Sequence, residues 1–257
     1  MSLDPSGSHH EQLPIESLPM MVLVGVTGVG KSTSIEALRR TGRDLALLPN
    51  RRQLTDDLII SYMQKANGDP VKQIRDRSLR FNYTAAYRKK FPGGMAHALS
   101  QMTISADTTG LLFFDGLRGQ SEVSFAVEKL PKACFVVLEA PTIVRLKRLL
   151  DRGDQFDHVQ VSHDTRPIDL GDYATLFNTQ ERNHIQSWVD QDAVTLVELQ
   201  SKLKIIKQEL DNYDPVATRN TLQQQAPDRM LAIDTSVHDP DAIAMQINQF
   251  LKGCYAN

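Results

Sequence analysis

The chain has 257 residues, 41% of them apolar, enough for one large α/β domain and too many for global disorder. Its formal net charge of -2 argues against a nucleic-acid binder that works through its overall field. Cys134 and Cys254 form no CxxC pair, which argues against a disulfide framework or a zinc site and fits a reducing cytoplasm.

No apolar run approaches the roughly 18 residues of a membrane helix. Residues 1 to about 17 are polar and broken by prolines, so they read as a disordered leader or an expression remnant, with 18–257 forming one domain. Met20–Val24 reads as a buried parallel strand. The loop GVTGVGKST, Gly25 to Thr33, follows it. A helix is expected over Lys31–Arg40, closed by Thr41-Gly42. Leu45–Leu48, stopped by Pro49, is the second expected strand. Helices are expected over Leu54–Lys65, over about Val71–Lys90 and over Met95–Ala106. Arg77, Arg80 and Arg88 make part of the second of these basic.

Strands at Leu111–Asp115 and Phe135–Leu138, a helix at Thr142–Arg152, a strand at Met230–Asp234 and a closing helix at Asp239–Leu251 complete the alternation. This pattern predicts an α/β three-layer fold with about five parallel strands. Tyr173–Tyr213 interrupts it with helical pattern and no strand, an inserted helical hairpin. Leu196, Leu199, Leu203, Ile206, Leu210 and Tyr213 step alternately by three and four. That seam fits either a hairpin packing on itself or a homodimer contact through 189–213. Asp154–Asp172, with His158 and His163, reads as a polar lid loop, since its spacings match no metal site.

Gly25-x4-Gly30-Lys31-Ser32 has the phosphate-binding loop pattern. Successive backbone N–H groups must point at phosphate oxygens, and glycine allows that path. The helix that follows offers its positive end to the same anion. Gly25, Thr27, Gly28, Val29, Gly30, Lys31, Ser32 and Thr33 are therefore the expected nucleotide contacts. A dinucleotide fingerprint fails, because Thr33 stands where a third glycine belongs and the second strand leads to Asn50. Asp115, at the end of an apolar strand, suits a carboxylate that holds Mg²⁺ together with the Ser32 hydroxyl. Gly116 follows it where many ATP-hydrolysing motors carry a glutamate. No Asn-Lys pair exists for reading guanine.

These features resemble the P-loop kinases of nucleotides, nucleosides and other small metabolites, nucleoside monophosphate kinases above all. The resemblance rests on Gly25–Thr33, on Phe113-Phe114-Asp115-Gly116-Leu117-Arg118, on Arg148-Leu149-Leu150-Asp151-Arg152-Gly153 as the start of a lid, and on Ile233-Asp234-Thr235-Ser236 before the closing helix. Together these cover about a quarter of the chain. Arg118 comes one residue early after the Asp-Gly pair, and the 173–213 insertion is foreign to the small nucleotide kinases.

The resemblance implies a cytoplasmic enzyme that uses ATP and Mg²⁺, with no nucleic-acid or membrane partner. Lys31 and Asp115 would be catalytic, and Arg148 or Arg152 would close over the transferring group. A solvated basic face is the plainer reading of Arg145, Arg148 and Arg152. The acceptor would lie near Arg51, Arg52, Arg88 and Arg118, although Arg51 and Arg52 are equally readable as turn residues. Phe81, Tyr83 and Tyr87 read as core more readily than as a base-stacking surface. An acceptor phosphate needs no general base, whereas an alcohol would call on Asp56 or Asp57. The opposing reading is an ATPase or nucleotide-dependent switch whose helical arm meets a protein partner.

Overall fold

The computed structural model describes residues 11–151, 170–191 and 193–255, apart from the side chains at 77 and 78. Five parallel strands form the central sheet: β2 (Met20–Val24), β3 (Leu45–Leu47), β5 (Leu111–Leu117), β6 (Ala133–Glu139) and β7 (Met230–Asp234), in the order β3-β5-β2-β6-β7. All five residues of β2 are buried, which explains its unbroken apolar run. Its alternate side chains serve two cores. Met20, Val22 and Val24 pack with Phe114, Phe135, Leu99 and Val123. Met21 and Leu23 pack with Phe113, Val136, Leu38 and Ile247. The first face is covered by α5 (Gly94–Ser100) and α6 (Gln120–Lys129), the second by α1 (Lys31–Arg40) and α11 (Pro240–Cys254). The expected α/β three-layer P-loop fold with five parallel strands is present.

Four local expectations are corrected. The leader is ordered from Gln12 on: β1 (Gln12–Pro14) pairs antiparallel with β4 (Thr103–Ser105), and Ile15 is fully buried. The helix expected to reach Ala106 stops at Ser100, because Met102 must give its carbonyl to the Ile15 N–H at 3.0 Å. The helix expected from Val71 is α4 (Arg77–Lys90), which starts where the Asp76 side chain accepts the Leu79 N–H at 2.7 Å. The helix expected from Leu54 starts earlier, at a capping box between Asn50 and Gln53. It runs as α2 (Arg51–Leu54), a π-type segment (Thr55–Ile60) and α3 (Ser61–Ala66).

The inserted region holds α8 (Thr179–Asp190) and α9 (Leu196–Tyr213), and α10 (Pro215–Gln225) follows at once. Asp214 turns the chain between α9 and α10 with a φ of 33° and caps α10 through the Ala217 N–H. The seam of α9 packs on α7 (Thr142–Leu150) as well as on α8. Leu199, Leu203 and Ile206 are buried with Leu146, Leu149 and Ile185, so these three seam residues are covered within the chain. No helix of the described residues is long and apolar enough to cross a membrane.

Candidate active site

The glycine loop leaves the C-terminal end of β2 and enters α1. Gly25, Gly28 and Gly30 take φ values of 154°, 86° and 87°. Two of them also have no room for a side chain: a Cβ would lie 2.9 Å from the Leu138 carbonyl oxygen at Gly25 and 3.1 Å from that of Arg145 at Gly28. Lys31 folds back over the loop, its Nζ donating to the carbonyls of Gly25 at 2.7 Å and Val26 at 3.0 Å. Loss of hydration and the nearby Arg118 push its pKa down to about 8, although Glu209 and Asp115 hold part of the charge.

Asp115 sits within β5, which runs on to Leu117 instead of ending at the acid as expected. Opposite it the register slips: Val22 faces Phe114 and Val24 faces Leu117, so β5 carries one extra residue at the site. A Cβ at Gly116 would lie 2.1 Å from the Phe114 ring, so the position used by a motor's glutamate is closed to side chains. The Ser32 hydroxyl is exposed, and Asp115 is half-buried close enough to act on Lys31. Hard oxygen donors on a phosphate loop and the neighbouring strand suit Mg²⁺. Thr33 is exposed at the start of α1, and the Val29 carbonyl accepts a hydrogen bond from Thr235 Oγ1 at 3.0 Å.

The arginines divide sharply. Arg145 is 3% exposed, contrary to the solvated-face reading. Its Nε donates to the Thr27 carbonyl at 2.9 Å and its Nη2 to Glu209 at 2.9 Å. Burial lowers its pKa, and Glu209 works the other way. Arg148 donates to the Gly28 carbonyl at 3.2 Å and to both Oγ1 and the carbonyl of Thr235 at 2.8 Å. It therefore braces the loop against the turn after β7. Arg152, the other expected lid arginine, lies outside the described residues, as do His158 and His163 of the expected lid loop. Arg118 donates to Glu209 at 2.9 Å and lies over the Tyr213 ring.

A cavity of about 710 Å³ opens from Thr27 and is lined by Arg51, Phe81, Arg88, Arg118, Glu122 and Glu209 among others. Arg51 is not a solvated turn residue. Its fork holds Glu122 at 2.7 and 2.6 Å and also reaches the Gly116 carbonyl. Burial opposes its charge, but Glu122 outweighs this and raises its pKa. Arg88 lines the same cavity and donates no hydrogen bond among the described residues, whereas Arg52 is exposed and away from the cavity. Arg80 is spent on Asp56 and the Ile74 carbonyl. Asp57 is exposed, and neither it nor Asp56 lines the cavity, which removes both as bases there. Tyr87 is core, bonded to His97 at 2.8 Å, Tyr83 packs on the core, and only Phe81 reaches the cavity wall.

Glu209, Arg145, Glu122 and Thr235 were not singled out as site residues in the sequence. One signal was available for Arg145: it lies three residues before Arg148, on the same helical stripe.

No protein-family model matches the chain. No curated protein matches it by sequence. Among solved structures the chain is similar to an unliganded sugar kinase from Janibacter sp. HTCC2649, at 14% identity over 93% of this chain and 97% of that one, TM-score 0.40. It is similar to shikimate kinase from Acinetobacter baumannii in complex with shikimate, at 15% identity over 95% and 98%, TM-score 0.41. A gluconokinase from Sinorhizobium meliloti 1021 aligns at 13% identity over 96% and 94%, TM-score 0.33. Likenesses this distant carry no conclusion about activity, which rests on the site itself.

Proposed function

We propose that the protein is a P-loop small-molecule kinase that transfers the γ-phosphoryl group of Mg-ATP to a small anionic acceptor. The observation that carries this reading is that Thr27 of the glycine loop and Arg118 line a cavity of about 710 Å³, while Lys31 folds onto the same loop and Arg145 donates to the Thr27 carbonyl. The phosphates run over the amides of Gly28 to Ser32, with Lys31 beside them. The nucleoside end leaves on the other side, toward a cavity of about 280 Å³ lined by Gly30, Thr33, Arg148, Thr235 and His238. The acceptor occupies the larger cavity, with Arg88 as the cation that has no partner there among the described residues.

The Ser32 hydroxyl and the Asp115 carboxylate would hold Mg²⁺, which when bound neutralises charge on the phosphate oxygens. Lys31 and the arginines offset the charge that spreads over the transferring group. A phosphorylated acceptor arrives ionised and asks for no general base.

The test is ADP release from Mg-ATP against a panel of nucleosides, nucleotides and phosphorylated or carboxylated metabolites, with Asp115→Asn beside the wild type. The expected result is one acceptor class that raises turnover at least about a hundredfold over background, lost in Asp115→Asn. Slow turnover that no acceptor raises would overturn the kinase reading.

A further inference from the structure

Glu209 belongs to α9, in the inserted region, 182 positions from Thr27. Its carboxylate is nevertheless seated on the phosphate loop. It accepts the Thr27 N–H at 3.1 and 2.9 Å through its two oxygens, and the Thr27 hydroxyl at 2.5 Å. It also accepts Arg118 Nη1 and Arg145 Nη2, each at 2.9 Å. The Glu209 side chain is 8% exposed.

A loop amide, a hydroxyl and two guanidinium groups gathered on one anion form the donor set of an oxyanion site. A carboxylate has two oxygens and does not exhaust it. Arg118 Nε is the one buried side-chain polar atom among the described residues that has no hydrogen-bond partner. A tetrahedral anion brings a third oxygen and a second negative charge to the same place. A purely structural ion pair between α9 and α7 would need Arg145 alone. It would have no reason to engage the amide and hydroxyl of the phosphate loop.

We propose that Glu209 stands in the subsite of the nucleotide's terminal phosphoryl group, and that Arg118 and Arg145 become ligands of that group once Glu209 leaves. This rests on the phosphotransferase reading above. Glu209 keeps the two arginines charge-compensated and in place until the phosphate arrives. Displacing it lowers the apparent affinity for the triphosphate, because only molecules with the carboxylate swung away accept the γ-phosphate. A diphosphate ends short of the subsite and meets no such competition. The inserted helix thereby sets how the enzyme weighs ATP against ADP.

The experiment measures Kd for Mg-ATP and Mg-ADP by calorimetry on the full chain, in wild type, Glu209→Gln and Glu209→Asp. Neutralising or shortening the side chain is expected to tighten ATP by about tenfold relative to ADP. A second measurement uses inorganic phosphate alone. Glu209→Ala leaves the arginines unpaired, so its melting temperature should rise more steeply with phosphate than that of the wild type. An ATP-to-ADP ratio unchanged in both conservative variants overturns the proposal while leaving the kinase reading intact. So does an alanine variant no more responsive to phosphate than the wild type. A wild type that binds neither nucleotide overturns the kinase reading, and this proposal with it.

Discussion

Arg148 grips Thr235 twice, Nη1 on the hydroxyl and Nη2 on the carbonyl, both at 2.8 Å. The same Thr235 hydroxyl donates to the Val29 carbonyl at 3.0 Å, so α7, the glycine loop and the turn after β7 are locked at one point. Lysine cannot reproduce a two-pronged fork. Arg148→Lys is expected to lose about 1–2 kcal/mol of stability in urea unfolding. It should weaken Mg-ATP and Mg-ADP alike, by about tenfold, because it borders the cavity proposed for the nucleoside and not the proposed place of the terminal phosphate. A variant that weakens ATP alone would move Arg148 to the transferring group.

Arg51 and Glu122 form a two-pronged pair whose glutamate side chain is only 7% exposed. Glu122 also accepts the Arg118 N–H at 3.1 Å and the Met95 N–H at 3.4 Å, so it ties α2, α5 and the end of β5 together. Arg51→Met leaves that carboxylate buried without its cation, at an expected cost of about 3–5 kcal/mol in chemical denaturation. Glu122→Gln keeps an acceptor for Arg51 and should cost less than half as much. Equal costs would mean that the carboxylate's charge carries the contribution, and not the hydrogen bond that an amide can keep.

The sheet was legible because strands buried on both faces must be continuous apolar runs. Met20–Val24 could hardly be read otherwise. The phosphate loop was legible because its chemistry is local, spanning nine consecutive residues. Strands β1 and β4 were not legible. Three residues each is too short for a period, and their pairing depends on Ile15 reaching the core. Glu209 was hidden for another reason. It lies between Gln208 and Leu210 on a helix with many charges, and its local pattern matches a solvated position. Its role comes from the path of the chain, which brings α9 against α7 and so onto Thr27. Arg51 looked free because its partner stands 71 positions away.

Arg88 lines the cavity proposed for the acceptor, with its guanidinium uncommitted among the described residues. A cation kept on a cavity wall without an internal partner contributes little to folding. Arg88→Gln is expected to change stability by no more than about 0.5 kcal/mol. It should raise the KM of the acceptor found in the panel by about tenfold or more, with the KM for Mg-ATP unchanged. An acceptor KM that stays put would mean that the anionic end of the acceptor points elsewhere.

Lys31 gives the free protein a distinctive dependence on pH. Its proton is released near pH 8, whereas the unfolded chain holds it to 10.5. Between those values the unfolded state binds more protons, so this residue's contribution to stability rises with pH; below 8 both states are protonated and its full cost is present. Nucleotide binding runs the opposite way. The triphosphate favours the charged lysine, so above pH 8 binding must take up a proton and weakens as pH rises. The expected result is a Kd for Mg-ATP roughly tenfold weaker at pH 9 than at pH 7, approaching the limit of one proton. Calorimetry at pH 8.5 in buffers of different ionisation enthalpy should show that uptake directly. A flat profile between pH 7 and 9 would mean that Lys31 keeps its charge throughout and that burial in the loop is offset by Glu209 and Asp115.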